Sequence, residues 1–336
     1  MATSTFGIDL GTYNIKIYNG FRETISSHKN IIAVQNRHTI FAYGDEAFTM
    51  YEKAPSNIVV SFPLVNGVIA DINHMQSLLR SFLLDEMDGN LRNADFYISV
   101  PTDITDVEKR AFYDLIKESN VRTHNIYTVE KAIADAIGLN VDISNSQGVL
   151  IVNVGYETTE ISILSLGGIV LSKLIKIGGK KFDDSIKNIV RKEYNLLIGM
   201  KTAERVKIAL PELKAADSDA VVYGRDIVTG LPVERNIPTE LVEKAMSEHF
   251  DMIIDNVRVI LERTPPELAA DIYRKGIFLT GGSASIGNLH ELIARSTGLK
   301  VNFSSNGEGS VAYGLSQIIT NERFKGAVST IRNTVE

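Results

Sequence analysis

The sequence predicts an α/β protein of two lobes, each a mixed sheet flanked by helices, facing each other across a cleft. Three observations predict it. Two β-hairpins of one design stand near the starts of the two halves of the chain, each an apolar run, a polar turn and a second apolar run. Residues 6–18 turn at Gly11, Thr12, Tyr13 and Asn14, and residues 149–168 turn at Gly155, Tyr156, Glu157 and Thr158. A short late strand, residues 276–279, runs into Thr280, Gly281, Gly282 and Ser283. The 336 residues also suffice for two cores.

Turns of this kind expose backbone N–H groups and threonine hydroxyls, which suit a phosphate. Asp9, inside the first hairpin, supplies an acidic group for a metal. The expectation is that two related lobes close over one nucleotide from opposite sides. The glycine turn after residue 279 would bring further backbone donors and a helix N-terminus, with that helix at about 285–296.

Composition narrows the classes. A net charge of −6 leaves no basic footprint for nucleic acid or for an anionic membrane. Zero cysteines exclude a disulfide framework and a thiolate metal site, and the six histidines show no metal-ligand spacing. No apolar run reaches the roughly 18 residues of a membrane span, and MATSTFG lacks the marks of a signal peptide, so a cytoplasmic location is expected.

Taken in order, residues 21–74 alternate short apolar runs with polar turns and read as a small β-rich insertion ended by Pro63, Asn66 and Gly67. Helical spacing begins at Met75 and stops at the polar stretch 88–93. Residues 96–100 are a strand, and Thr105 with Glu108 forms a capping box for the next helix. A strand at 126–129 leads into a helix at 130–137 that would cross beneath the cleft. Residues 173–177 add a strand, and Gly178-Gly179 turn the chain into a helix with Phe182, Ile186, Ile189 and Val190 on its apolar face. Residues 202–210 form a shorter helix carrying Glu204 and Lys207, 221–233 a hairpin, and 240–263 a long helix ended by Pro265 and Pro266. The tail, 321–336, has helical spacing with Arg323, Lys325 and Arg332 between its apolar residues.

With these loops in order the chain resembles the actin superfamily and, within it, the bacterial actins of the MreB family. Residues 7–12 (GIDLGT) match the first phosphate loop, 155–160 the second and 279–284 the adenosine loop. Sugar kinases and Hsp70 chaperones share those three. The stretches GVIAD (67–71), SLGGIV (165–170), YNLLIG (194–199), GRD with VTGLP (224–226 and 228–232) and TPPELAADI (264–272) are more specific to MreB and run through both lobes.

The resemblance implies an actin-like fold with subdomain IA at 1–30, 75–140 and 312–336, IB at 31–74, IIA at 141–177 and 262–311, and IIB at 178–261. It implies ATP or ADP with Mg²⁺ in the cleft and head-to-tail homopolymers of paired protofilaments that govern cell shape or motility. Nucleotide contacts fall on Gly11, Thr12, Tyr13, Asn14, Gly155, Tyr156, Glu157, Thr158, Gly179, Glu204, Lys207, Gly281, Gly282 and Ser283. Asp9 and, through water, Asn153 fall on the metal; Lys131, Thr159 and Glu160 fall at the hydrolytic position.

Several of these positions depart from the family pattern. Where relatives carry Glu-Glu-Pro this chain has Glu130-Lys131-Ala132, so an ammonium replaces the carboxylate that positions the attacking water. An ammonium has three donors and no acceptor, and losing a positioned base costs about 10²- to 10⁴-fold in rate. The alternative for Lys131 is an exposed ion pair with Asp135, one helical turn on. Asn153 replaces a second carboxylate, leaving Asp9 as the main acidic contact to a hydrated Mg²⁺. Tyr156 and Glu157 replace glycines, and Glu157 should repel a triphosphate unless it turns outward. The expected product is a nucleotide-binding actin with slow hydrolysis, similar to a divergent paralogue such as those in the duplicated sets of wall-less spiroplasmas. Paralogues are then candidate partners. Membrane contact is expected to be indirect, since Leu91 beside Arg92 is a poor anchor and the tail is weakly basic. The rival functions are a non-polymerising regulatory actin and a small-molecule kinase of the same superfamily, for which no acceptor base stands out.

Overall fold

The computed structural model describes residues 4–36, 39–87, 93–304 and 307–328. The first lobe opens with β1 (Ser4–Leu10), β2 (Asn14–Asn19) and β3 (Thr24–Lys29), an antiparallel meander. A separate sheet of β4 (Ile32–Gln35), β5 (Thr39–Tyr43) and β6 (Ile58–Ser61) carries α1 (Gly44–Met50). The short strands β7 (Leu64–Val65) and β8 (Val68–Ile69) then meet at Asn66 and Gly67, whose φ of 52° and 81° lie in the left-handed region that such residues tolerate. Next comes α2 (Ile72–Glu86), which starts earlier than the apolar spacing at Met75 because the Asp71 carboxylate caps it, accepting from the His74 N–H at 3.0 Å.

β9 (Ala94–Val100) pairs parallel with β1, α3 (Asp106–Lys117) opens on the expected Thr105–Glu108 capping box, and β10 (Thr123–Glu130) pairs parallel with β9. α4 (Lys131–Gly138) leaves β10 directly. The second lobe repeats this plan. β11 (Val149–Val154), β12 (Thr159–Ser165) and β13 (Gly168–Ile175) form the meander, and the strand expected at 173–177 is the end of the longer β13. The chain continues through α5 (Gly179–Tyr194), β14 (Leu196–Leu197), α6 (Met200–Ala215), β15 (Ala220–Asp226), β16 (Pro232–Ile237) and α7 (Thr239–Arg263). α8 (Pro266–Lys275), β17 (Ile277–Thr280), α9 (Leu289–Thr297) and β18 (Val301–Phe303) complete the lobe, with β17 parallel to β11 and β18 parallel to β17. The sheet orders β10-β9-β1-β2-β3 and β13-β12-β11-β17-β18 are therefore one topology used twice. That repetition is why the chain contains two hairpins of one design.

α10 (Ser310–Thr320) packs on α4 and β1. The two helices touch at paired glycines: a Cβ on Gly138 would sit 1.8 Å from the Ser310 carbonyl oxygen, and one on Gly314 1.7 Å from that of Ala134. A core of Val129, Ile133, Ile137, Ile151, Leu164, Val311 and Leu315 gathers around this crossing and joins residues of both lobes. Each lobe also has a core of its own, centred on Phe6, Phe82, Phe96 and Phe112 in the first and on Phe182, Phe250 and Ile253 in the second.

Two expectations change. The helix placed at 285–296 begins at Leu289; turns occupy 281–288, and Gly287 with φ 58° keeps the chain out of a helix there. The tail is a 3₁₀ turn, Glu322–Ala327, rather than an α-helix, and its remaining residues 329–336 lie outside the described residues, as do Leu91 and Arg92. The subdomain boundaries expected at 74/75, 261/262 and 311/312 lie within α2, α7 and α10.

Candidate functional site

The two hairpin turns and the late glycine turn converge on one cleft between the lobes. The first turn is tight: a Cβ on Gly11 would lie 2.4 Å from the Asn14 carbonyl oxygen, and Asn30 Nδ2 donates to the Gly11 carbonyl at 2.8 Å. Behind it, Ser99 Oγ donates to Asp9 Oδ1 at 2.8 Å. The second turn closes through the Gly155 N–H to the Thr158 carbonyl, 2.8 Å. Its own carbonyls at Gly155 and Tyr156 accept from the N–H groups of Gly179 and Lys180 at the start of α5. The glycines make this contact possible, since a Cβ on Gly178 would meet the Gly155 oxygen at 2.5 Å. The late turn is laid on the end of β11. Gly281 has φ 94°, a Cβ there would be 2.4 Å from the Val154 oxygen, and the Ser283 N–H donates to that oxygen at 2.9 Å.

Asp9, Gly11, Thr12, Tyr13 and Asn14 line the cleft from the first lobe, together with Lys131 at the start of α4. Asn153, Gly155, Tyr156, Thr158, Glu160, Glu204, Lys207, Gly281, Gly282 and Ser283 line it from the second. Three expected site residues do not. Thr159 is fully buried and its hydroxyl donates to the Ile177 carbonyl at 2.8 Å, so it holds β12 to the chain before α5 instead of facing a water. Glu157 is turned away: it pairs with Lys180 and accepts from the Asn66 N–H across the lobes. Gly179 lies one layer back, its N–H committed to Gly155 and its carbonyl accepting from Lys207 Nζ at 3.2 Å.

Lys131 projects into the cleft, 3.8 Å from Glu160 Oε1. The exposed pair with Asp135 does not form as such, because Asp135 is wholly buried and accepts from Asn153 Nδ2 at 2.6 Å and from Thr280 Oγ1 at 3.2 Å. Burial works against the Lys131 charge, but the carboxylates of Asp9, Glu160 and Asp135 outweigh it and raise its pKa above the usual lysine value. Burial pushes Asp135 up to about 6. Glu160 is also raised by burial, against the pull of Lys131 and of the Thr102 N–H and hydroxyl, each donating at 3.1 Å.

At the other end of the cleft, Tyr13 and Tyr156 bring their rings to 4.3 Å, and the Tyr13 hydroxyl donates to Glu204 at 2.6 Å. Burial raises both phenols well above their usual range. Lys207 Nζ lies 2.8 Å from Asp183, an ion pair that is buried on both sides, and burial pushes Asp183 up to about 7. Sequence reasoning missed Lys16, Lys29 and Glu308. Lys16 was within reach, since it shares a β2 face with Asn14 by strict alternation. Lys29 enters only through register, opposite Asn14 on β3, with its ammonium 3.8 Å from the Tyr13 ring centroid. Glu308 bonds Asn14 at 3.0 Å from the far end of the chain, a pairing without a sequence signal.

Glycine turns that a Cβ would clog, with the Lys131 ammonium facing the same cleft, fit a nucleotide's phosphates. A metal held by the protein itself fits poorly: among the described residues no group of three or more His, Asp or Glu is arranged to hold one, and Asn153, whose Nδ2 donates to Asp135, brings no charge.

A family model described as MreB/Mbl protein matches residues 3–325. The cell shape-determining protein Mbl of Bacillus subtilis (strain 168) is 35% identical over 325 residues, 96% of this chain and 97% of Mbl. The crystal structure of MreB5 of Spiroplasma citri bound to AMPPNP matches with a TM-score of 0.88 at 33% identity, covering 97% of this chain and 98% of that one. A MamK double helical filament matches with a TM-score of 0.78 at 21% identity over 95% and 99% of the two chains, a likeness of fold alone.

Proposed function

The chain belongs to the MreB/Mbl family, and from that premise we propose that it binds ATP and ADP in the interlobe cleft, polymerises with itself into paired protofilaments that govern cell shape or motility, and hydrolyses ATP slowly. The observation that carries nucleotide binding is the convergence of three glycine turns from two lobes on a cleft lined by Lys16, Lys29, Lys131 and Lys207. In this reading the turns at Gly11–Asn14 and Gly155–Thr158 take the phosphates through backbone N–H groups, while Glu204, Lys207 and the Gly281–Ser283 turn take the nucleoside. Glu160 positions Lys131 rather than a water.

Mg²⁺ would arrive on the phosphates, with Asp9 and the Asn153 side-chain carbonyl oxygen meeting its water shell while Asn153 Nδ2 donates to Asp135. Slow hydrolysis follows from chemistry: a charged Lys131 can donate to a phosphate oxygen but has no lone pair with which to take a proton from water. Self-association is supported by the actin-like architecture and by apolar side chains exposed on the β15–β16 hairpin, Val228 at 78% and Leu231 at 62%. Among the described residues no helix is long and apolar enough to cross a membrane, and the membrane contact proposed here is indirect, with paralogous family members as candidate partners.

Electron microscopy of the purified chain with ATP tests the proposal. Paired filaments are the expected result. Isolated particles that nonetheless bind ATP would instead favour the regulatory, non-polymerising reading.

A further inference from the structure

The carboxylates at the phosphate end of the cleft are already answered by the protein. Asp9 Oδ1 accepts from Ser99, Glu160 Oε2 accepts twice from Thr102, and Asp135 accepts from Asn153 and Thr280. The cation they share is the Lys131 ammonium, 3.8 Å from Glu160 and within the fields of Asp9 and Asp135. The remaining cleft lysines are held elsewhere: Lys16 by Glu308 at 3.4 Å, Lys29 over the Tyr13 ring, Lys207 by Asp183. Asn153 is an amide that donates to Asp135, so it offers a hydrated cation no charge.

We propose that the Lys131 ammonium takes the place of a divalent cation toward a bound nucleoside triphosphate, so that the chain holds the nucleotide with little dependence on Mg²⁺. This rests on the nucleotide reading of the cleft. Three physical points support it. The ammonium is tethered where β10 passes into α4, the junction that the helix pair α4–α10 holds in place, so no free ion has to be captured and ordered. It presents up to three N–H donors, one side already facing Glu160, and a part-buried cation beside a polyphosphate acts through a lower dielectric than water. A second cation brought close to Lys131 would meet its positive charge, which offsets part of the attraction of the carboxylates around it. Lys131 is therefore a positioning and charge-neutralising residue.

The test is equilibrium titration of AMPPNP into the purified protein, once with excess Mg²⁺ and once with excess EDTA, followed by calorimetry. The wild-type dissociation constant is expected to change by less than about threefold on chelation, while Lys131→Gln, which keeps the volume and removes the charge, should lose at least about tenfold on chelation. Lys131→Glu should show a still larger loss. A wild-type loss of tenfold or more, or a Lys131→Gln protein with the same metal dependence as wild type, overturns the inference and leaves nucleotide binding intact. Absence of binding in Mg²⁺ as well as EDTA overturns both this inference and the nucleotide reading beneath it. Because Lys131→Gln and wild type are compared by the ratio of their own two constants, a general loss of affinity in the variant does not imitate the expected result.

Discussion

Residue 131 decides between two chemistries in one cleft, because a carboxylate there can accept a proton from water and an ammonium cannot. Lys131 keeps its charge: three acidic neighbours raise its pKa despite burial. Lys131→Glu is therefore expected to increase Mg²⁺-dependent phosphate release by about 10²-fold, the lower end of what a positioned base contributes. A colorimetric phosphate assay reads it, and an unchanged rate would sink the base argument. The same reasoning accounts for Glu157. Its carboxylate is drawn out of the cleft by Lys180 and by the Asn66 N–H, so the repulsion foreseen from sequence is avoided. Tyr156 stays in the cleft and meets Tyr13, closing with two rings a space that side chains smaller than these would leave open. Thr159, like Glu157 and Gly179, was expected in the cleft and does not line it. A threonine in a phosphate turn and one on the adjoining strand look alike in sequence, and only strand pairing decides that Thr159, opposite Ile175, is turned into the protein.

The elements that hold these residues make separate predictions. α4 carries Lys131 and is kept in place by α10 through Gly138 and Gly314, where backbone meets backbone. Gly314→Ala would push its methyl onto the Ala134 carbonyl, an overpacking without a flexible side chain to yield. A loss of about 3 kcal/mol is expected, seen as a fall of about 4 °C in Tm by circular dichroism. α2 is anchored differently. Glu86, near its C-terminal end, has a pKa held down to about 2 by His28, with Ser26, Asn19 and Arg22 assisting against the cost of burial. Its folded pKa lies below the ordinary 4.5, so the stability it contributes is complete above pH 4.5 and is lost as pH falls toward 2. Glu86→Gln should cost roughly 2 kcal/mol at pH 7, allowing for screening, or about 3 °C in Tm. The gap between wild type and variant should close as melts are repeated from pH 5 down to pH 2.5. A gap that persists at the acid end would show that the side chain acts by shape and not by charge.

Across the whole molecule, the repeated sheet topology sets the two hairpin turns at one cleft, and the core around α4 and α10 joins the lobes. Filament growth needs surfaces that the fold leaves unburied. The β15–β16 hairpin exposes Val221, Tyr223, Ile227, Val228 and Leu231. Replacing Val228 and Leu231 together by serine should raise the concentration at which the protein pellets with ATP by about tenfold, with Tm unchanged, since neither residue is part of a core. Sedimentation across a concentration series checks this, and an unaltered threshold would remove the hairpin from the contact.

Local pattern alone determined the two hairpins, the glycine turns, the capping box before α3 and the ammonium at position 131, because each is written in neighbouring residues with a fixed periodicity or spacing. What only tertiary structure decided was which lysines face the ligand cleft, that Glu157 leaves it, that Asn153 serves Asp135, and that Glu308 reaches Asn14 from the far end of the chain. Those outcomes depend on strand register and on the approach of distant backbone segments, and neither is encoded within the length of chain that sets a helix or a turn.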